Sequence, residues 1–335
     1  MSRFPASRSS GTPRTPLAGP LRALLGALVA LALLLTGSAG SAVALTPAGG
    51  TPGHGVAAVV AEPKAPLTDA QWRAHVAEVQ RRLDQAVAQG QETDVRYTVG
   101  GDREHWLPSR VRRQRQVADE LYARGASVPN EGRAVFTGGP MGAGKTTVLT
   151  KYSGIDLSRY LVVSADDVKD VMCEHGMIPR IAGLTPLEAS LLIQPESSLI
   201  ANMIAARAYQ ERKNIIWDFS MSSRGAVESR MTAMRAAGYG EINAVFVGIP
   251  VEMSVQRADH RHRVGHEAFR NGQGCGGRYV VPTLILAGAD PVWGSVNRRA
   301  FEETKDQFDH WSLYDSSGSA PVLVAKGTGG DAGRS

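Results

Sequence analysis

The chain has 335 residues, of which 43% are hydrophobic and 21% are charged. It is therefore long enough to bury a full α/β core in one large or two small domains. Its formal net charge is +5, but residues 1–44 hold four arginines and no acid, so the remainder carries +1 from 33 basic and 32 acidic residues. A near-neutral chain without a basic run argues against a nucleic acid partner held by charge.

The N-terminus has the order of a secretory signal peptide. Arginines are followed by an apolar run over residues 23–35 and then by small residues that end at Ala44. This run of 13 residues is shorter than the roughly 20 that a membrane-spanning helix needs. We predict a secreted protein cleaved after Ala44. An uncleaved anchor, or a misassigned start codon and hence a cytoplasmic protein, is the alternative.

The rest of the chain divides by composition. Residues 45–66 are rich in Ala, Gly and Pro, which predicts a flexible linker. We expect residues 67–130 to form a helical segment that packs on a core of residues 131–326. The tail over residues 327–335 is predicted to be frayed.

Two helices are predicted in the segment before the core. Thr68 and Gln71 match a capping box at the start of a helix of about 20 residues. Ser109 is predicted to cap the second helix. The arginines of that helix are interpreted as a solvated face; they are Arg110, Arg112, Arg113 and Arg115.

A phosphate-binding loop is predicted at residues 139–146, which match the pattern G-x-x-x-x-G-K-[ST] in full. A β-rich run precedes the loop and a predicted helix follows it, as the motif requires. Backbone N–H groups would converge on phosphate, with Lys145 as the balancing charge and Thr146 as a ligand of Mg²⁺. We therefore predict ATP and Mg²⁺ as cofactors. The predicted nucleotide-binding residues are Gly139, Pro140, Met141, Gly142, Ala143, Gly144, Lys145, Thr146 and Thr147.

Acidic residues follow two further β-rich runs at the point where each run ends. Asp166 and Asp167 come after residues 160–164, and Asp218 ends the run over residues 214–218. Sites in doubly wound sheets lie beyond the carboxyl ends of strands. We expect Asp166 to reach an acceptor hydroxyl and Asp218 to hold Mg²⁺ through water. Helix capping is the alternative for these acids.

Arginines beside glycines suggest a lid. A basic helix is predicted over residues 250–263, with Arg257 and Arg261 one turn apart on one face. Arg278 follows a glycine-rich stretch at residues 272–277. Such a lid can close over phosphates and bring a guanidinium to the transferring group.

Histidines and cysteines near this lid raise two further questions. His260, His262, His266 and Cys275 have spacings that do not converge on one ion, so no metal site is predicted from them. Cys173 and Cys275 are the two cysteines of the chain. Whether they pair stays open, because the sequence does not show that the sulfurs meet.

Together these segments resemble the zeta-toxin family of phosphate-loop kinases, from about Leu107 to Lys326. The resemblance implies a P-loop NTPase-like α/β fold: a doubly wound, mostly parallel sheet with flanking helices and an Arg-rich lid. The segments that carry it are Phe136-Thr137-Gly138-Gly139, Ser164-Ala165-Asp166-Asp167, Glu196-Ser197-Ser198, Trp217-Asp218-Phe219-Ser220, the Arg257 helix, Gly277-Arg278-Tyr279-Val280-Val281-Pro282 and Trp311-Ser312-Leu313-Tyr314-Asp315-Ser316-Ser317.

The resemblance also implies an activity. Members of the family transfer the γ-phosphoryl group of ATP to a sugar hydroxyl, best known in UDP-N-acetylglucosamine. Their catalytic base falls on Asp166, and their charge-stabilising arginines fall on Arg257 and Arg278, beside the loop residue Lys145. An antitoxin or immunity protein is the implied partner.

Substrate contacts are implied less directly, at Glu196, Asn202 and Ser220. Asn202 stands where sugar-nucleotide kinases of the family have Glu, and the segment Asp218-Phe219-Ser220 replaces their Glu-Gly-Thr. These departures leave the acceptor open, so the ribose of NAD or an antibiotic is the alternative to a sugar nucleotide. A nucleotide-dependent binding module without transfer is a third interpretation.

Overall fold

The computed structural model describes residues 64–329, and the predicted P-loop NTPase-like α/β fold is confirmed. Its main sheet has six strands in the order β2-β3-β1-β4-β7-β8, and a separate two-stranded pair is formed by β5 and β6. All neighbours in the main sheet are parallel except β7 and β8. The strands are β1 (Arg133–Gly138), β2 (Leu161–Ser164), β3 (Ile215–Asp218), β4 (Glu241–Gly248), β5 (Ala289–Asp290), β6 (Gly294–Ser295), β7 (His310–Asp315) and β8 (Val322–Thr328).

Helices surround this sheet. None of those in residues 64–329 is long and apolar enough to cross a lipid bilayer. Short 3₁₀ helices lie at Val99–Gly101, Leu157–Arg159, Leu187–Ile193 and Lys305–Gln307. The α-helices are α1 (Asp69–Ala88), α2 (Thr93–Arg96), α3 (Pro108–Ala123), α4 (Lys145–Lys151), α5 (Ala165–Glu174), α6 (Gln194–Glu211), α7 (Arg224–Ala236), α8 (Val251–Arg270), α9 (Pro282–Leu286) and α10 (Val296–Thr304).

The central strand β1 is buried along its length after Arg133, because helices cover both faces of a parallel sheet. Phe136 packs edge-to-face against Phe219 and Phe308, with ring centroids 5.5 and 5.4 Å away. The strand register pairs Asp218 with both Thr137 and Ser164. The polar ends of three neighbouring strands therefore lie side by side at one edge of the sheet.

The N-terminal helices agree with prediction in part. The capping box of Thr68 and Gln71 is present at the start of α1. Helix α3 instead begins at Pro108, so the predicted Ser109 cap is wrong and Ser109 lies inside the helix. Proline at the first helical position has a preset φ and lacks the N–H that would be left unpaired there. The predicted solvated face is wrong for Arg110, which is 3% exposed.

The chain ends also differ from prediction. Near the C-terminus, α10 ends at Thr304 and His310–Asp315 form β7, paired with β4. Gly327 and Thr328, predicted to fray, pair with Trp311 and His310. The predicted signal peptide, most of the linker and residues 330–335 lie outside the described residues.

Candidate active site

The phosphate-binding loop joins β1 to α4 in a conformation that requires glycine. Gly139 and Gly142 have φ of 135° and 70°, and a side chain at Gly139 would come within 2.1 Å of the Val247 carbonyl oxygen. Lys145, the first residue of α4, is 2% exposed and its Nζ lies 3.5 Å from the Gly139 oxygen. Burial lowers the pKa of Lys145, an effect opposed by Asp218 and Asp166. A buried cation with loose internal contacts is suited to receive phosphate.

The segment after β3 supports the loop from one side. Gly139 N–H donates to the Ser220 carbonyl oxygen at 3.1 Å, and the Asn297 side chain donates to the same oxygen at 2.9 Å. Next to it, Met221 is a non-glycine residue with φ of 52°, an unusual backbone conformation. Ser220, a predicted substrate-binding residue, is therefore buried directly against the loop.

Helix α8 supports the loop from the other side. The Ser254 hydroxyl donates to the Met141 oxygen at 2.6 Å. The Arg257 guanidinium donates to the Gly142 oxygen at 3.2 Å and to the Ser316 oxygen at 2.7 Å. Arg257 was predicted to stabilise the transferring group. The structure places it on the backbone of the loop, where it ties α8 and the segment after β7 together.

Asp166 lies at the start of α5, whose N-cap is the Ser164 hydroxyl, as the capping interpretation predicted. Its side chain is 2% exposed; Oδ1 accepts from Lys169 Nζ at 3.1 Å and Oδ2 lies 3.3 Å from Arg278 Nη1. Burial opposes ionisation, but Arg278, Lys169 and Arg261 outweigh it and lower the pKa of Asp166 to about 2. Asp166 is therefore a carboxylate at neutral pH, held by cations.

Asp167 and Asp218 form the other half of this acidic edge. Burial, and then repulsion from Asp218 and Asp166, raises the pKa of Asp167 to about 7. Asp218 is 3% exposed and its Oδ1 accepts from the Thr137 hydroxyl at 2.7 Å. The two neighbouring acids Asp166 and Asp167 are thus driven to opposite protonation behaviour. Such pairs commonly mark acid–base sites.

Two arginines face these acids. Arg278 Nη2 lies 2.6 Å from Asp170 Oδ1 and also donates to the Asp166 backbone oxygen at 3.0 Å. Arg261 is half-buried, and its Nε has no hydrogen-bond partner within the described residues. Burial lowers the pKa of Arg261, and the charges of Asp166 and Asp218 oppose this. Arg261, one turn from Arg257, is therefore the α8 arginine that faces the acids.

With this geometry described, the chain can be compared with known proteins. The sequence model of the zeta-toxin family matches residues 121–323. This chain belongs to the zeta-toxin family. The family assignment agrees with the loop, the strand-end acids and the arginine lid described above.

Two structures of one complex show the same fold at low identity. The complex titled AvrRxo1-ORF1:-ORF2 with ATP is 16% identical, with a TM-score of 0.53, over 68% of this chain and 70% of that one. Its native form gives a TM-score of 0.52 over the same shares at the same identity. The PezAT toxin–antitoxin system of Streptococcus pneumoniae is 13% identical, with a TM-score of 0.45 over 66% and 81%. No curated protein matches.

Glu196 has a different place in this zeta-toxin chain from the one predicted. It is fully buried and receives two hydrogen bonds from Arg110, at 2.6 and 2.7 Å, and a third from Gln114 at 2.9 Å. A carboxylate engaged in this way by α3 joins that helix to α6. Glu196 thus has partners within the fold, while Asn202 is exposed on α6, and substrate contact by either residue stays a prediction.

A disulfide links the lid, the glycine-rich stretch at residues 272–277 with Arg278, to helix α5, which carries the acids. Cys173 on α5 and Cys275 in the lid form a disulfide with 6.5 Å between their Cα atoms. The lid cysteine lies three residues before Arg278, and the helix cysteine lies three residues after Asp170. The disulfide therefore fixes the segment that carries Arg278 against the helix that carries its carboxylate partners.

The sequence did not indicate two residues of the site, Lys169 and Arg261, or the meeting of three histidines at one carboxylate. Lys169 stands three residues after Asp166, a spacing typical of a helical ion pair that could have indicated it. Arg261 was recognised on the helix but not assigned to the site. Nothing in the sequence indicated that His262 and His266 meet at a carboxylate with His75. These partners are far apart in sequence.

Proposed function

We propose that this zeta-toxin chain is a phosphotransferase that moves the γ-phosphoryl group of ATP to a hydroxyl of a small molecule. One observation carries the proposal: the buried loop cation Lys145 shares its electrostatic environment with Asp166, Asp218 and Arg261. A protein that only binds a nucleotide does not need a buried carboxylate and buried guanidinium groups beside the phosphate-binding loop. A neighbouring fold solved with ATP supports the choice of nucleotide.

The donor set at the acidic edge is suited to Mg²⁺. Asp218 offers a carboxylate, Thr146 offers a hydroxyl at the start of α4, and oxygen donors are what this ion prefers. Repulsion between Asp167 and Asp218 is relieved when a divalent cation lies beside them. When bound, Mg²⁺ would neutralise charge on the β- and γ-phosphates.

Asp166 is the proposed base. Its ion pairs with Arg278 and Lys169 keep it charged and in place. Phosphate oxygens compete for the same guanidinium, so nucleotide binding turns the Arg278 side chain toward phosphate while the disulfide keeps its backbone in place, and the Asp166 carboxylate is left to accept the proton of the attacking hydroxyl. The oxygen Oδ2, which is buried without a hydrogen bond within the described residues, is the atom assigned to this proton.

Replacing Asp166 tests this assignment. Asp166→Asn keeps the size of the side chain but removes its charge, so we expect product formation to fall about 10²–10⁴-fold while ATP binding persists. Asp167→Asn is the matched control. We expect it to change the Mg²⁺ dependence of the reaction and to lose less rate than Asp166→Asn. Full activity in Asp166→Asn, or equal losses in both variants, would reject Asp166 as the base. ATP binding without product from any acceptor would favour a nucleotide switch.

The proposed acceptor is the sugar hydroxyl of UDP-N-acetylglucosamine, on the basis of family membership. The ribose of NAD and hydroxylated antibiotics are the competing acceptors. Incubation of the chain with ATP and this panel, followed by mass spectrometry, identifies the product that gains a phosphoryl group. Phosphorylation of NAD or an antibiotic alone would overturn the sugar nucleotide while leaving the kinase proposal intact.

We also propose that the protein is exported and has a protein partner. The disulfide of Cys173 and Cys275 supports export, because such bonds persist mainly in oxidising compartments. The two-component AvrRxo1-ORF1:-ORF2 structure supports an antitoxin or immunity partner. N-terminal mass analysis of culture supernatant should find a chain that begins near Leu45. An intact Met1 form confined to the cytosol would reject export.

A further inference from the structure

Three histidines converge on one carboxylate outside the proposed active site. His75 Nε2 lies 2.7 Å from Glu188 Oε1, and His262 Nε2 and His266 Nδ1 each lie 2.9 Å from the same oxygen. His75 belongs to α1, the other two histidines to α8, and Glu188 to the 3₁₀ helix Leu187–Ile193. Glu188 is fully buried, and His262 and His266 are 2% and 8% exposed.

We propose that three of these side chains, those of His75, Glu188 and His266, form a binding site for one zinc-class transition-metal ion. A set of imidazole nitrogens with one carboxylate oxygen is a common ligand set for Zn²⁺. Ca²⁺ and Mg²⁺ prefer oxygen ligands and do not fit it.

Hydrogen bonding explains this cluster less well than a metal does. Three ring nitrogens point at Oε1, which has two lone pairs, while Oε2 already accepts from the Thr185 N–H at 2.7 Å. A cation bound by His75, His266 and Glu188 takes the lone pairs of two nitrogens and leaves His262 to donate to the carboxylate. That arrangement removes the competition of three donors for one oxygen.

The distances are compatible with an ion. Ligand atoms of a tetrahedral zinc site lie about 3.4 Å apart, given bonds of about 2.1 Å. The ligand atoms of His75, Glu188 and His266 all lie within 4.8 Å of one another. Side-chain rotations that bring the ligand atoms of His75, Glu188 and His266 to this spacing around one centre would therefore supply three positions of the coordination sphere.

Surrounding contacts hold the ligands in orientation, as outer-shell partners do in metal sites. The rings of His75 and His266 pack with their centroids 4.0 Å apart. Trp72 packs on His262 at 4.6 Å, and its indole N–H donates to Asp259 at 3.0 Å. Thr185 fixes the carboxylate of Glu188 from behind.

The location of the cluster suggests a structural role beside the lid. The backbone of Gly277 packs so closely on His262 that a side chain there would come within 2.0 Å of the His262 oxygen. Leu187 N–H donates to the Cys275 oxygen at 3.0 Å. An ion held here would join α1, α8 and the base of the lid. His75 lies before the family match at residues 121–323, so the site depends on the N-terminal segment of this chain.

Metal binding by the full chain tests the proposal. The purified protein is stripped with a chelator and titrated with Zn²⁺, and bound metal is measured by calorimetry and elemental analysis. We expect one equivalent per chain and a melting temperature that rises by about 5 °C at a hundredfold excess over Kd. Co²⁺ in place of Zn²⁺ should give the intense visible bands of a four-coordinate ion.

Three variants locate the site. His75→Gln and Glu188→Gln should each weaken Zn²⁺ binding by about 100-fold or more, since loss of an outer-shell group alone costs 10–100-fold. His260→Gln is the matched control, because His260 is exposed on the same helix α8. His75 is 18% exposed, so His75→Gln carries the test if Glu188→Gln does not fold. Wild-type binding weaker than about 10 μM, or equal binding by His75→Gln and wild type, would overturn the proposal.

Discussion

The phosphate-binding loop and the lid region differ in how the chain supplies their residues. In the loop, consecutive residues from Gly139 to Thr146 provide the glycine backbone, the cation and the hydroxyl. In the lid region, Arg278 meets Asp166 and Asp170 of α5, while Cys275 bonds to Cys173 and contacts the 3₁₀ helix at residue 187. One site is local in sequence and the other is assembled from separate segments.

This difference decides whether the role of a residue can be assigned from a sequence motif alone. A contiguous loop has a single conformation that suits its glycines, so the role of Lys145 follows from the motif. The role of a lid arginine depends on the residues that it contacts in the folded protein. Arg257 and Arg261 are equivalent by helical spacing, yet one binds loop carbonyl oxygens and the other faces carboxylates.

The largest effect is expected at the local site. Lys145→Ala removes the buried charge that balances the β- and γ-phosphates, so we expect transfer to fall by about 10³-fold or more. Lys151→Ala, an exposed lysine at the other end of α4, is the control and should retain activity. Steady-state turnover of ATP with acceptor measures both. Unchanged turnover in Lys145→Ala would show that residues 139–146 do not act as the phosphate-binding loop.

The second prediction tests the assembled region through Glu196. Glu196→Gln leaves Arg110 as a buried, uncompensated charge, which should cost about 3–5 kcal/mol of unfolding free energy. The KM for the acceptor should stay unchanged at temperatures where the variant is folded. Denaturant unfolding and kinetics separate the two effects, with Glu211→Gln at the exposed end of α6 as control. A stable Glu196→Gln variant with a raised KM for the acceptor would instead show that Glu196 binds the substrate.

The third prediction separates the two α8 arginines. Arg261→Ala should lower kcat by about 10²–10³-fold with little change in ATP affinity, because its guanidinium serves charge that develops during transfer. Arg257→Ala should mainly raise the KM for ATP by loosening Gly142 of the loop. Equal kcat losses in both variants would show that the lid and the loop act as one unit.

The smallest effect concerns Asp167 and pH. Its folded pKa of about 7 is above its ordinary value of 3.8, so the folded state favours the protonated acid. The stability that this proton provides is complete below pH 3.8 and is lost as pH rises through about 7. Asp167→Asn should therefore gain a few degrees of melting temperature over wild type as pH rises across this window.

Added Mg²⁺ should reduce that difference, since a cation relieves the repulsion among the acids. Melting curves at several pH values, with and without Mg²⁺, measure both effects. A gap between wild type and Asp167→Asn that is independent of pH would place the Asp167 carboxylate away from its acidic neighbours.

Sequence patterns by themselves determined the parts of this protein that depend on neighbouring residues. The loop, the α1 capping box and the strand-end acids were predicted because local spacing and apolar periodicity report them directly, whereas the α/β fold was implied by the family resemblance. The zeta-toxin family was recognised from the same segments. Boundaries shifted slightly, as where the predicted run over residues 214–218 became β3 (Ile215–Asp218).

Tertiary structure alone decided the features that depend on distant partners. The burial of Arg110 against Glu196 joins residues 86 positions apart, and the disulfide of Cys173 and Cys275 joins residues 102 positions apart. The opposite pKa shifts of Asp166 and Asp167 likewise arise from which charges the fold places beside each carboxylate. Burial and Coulomb interaction depend on distance in space, and a pattern along one chain does not contain that distance.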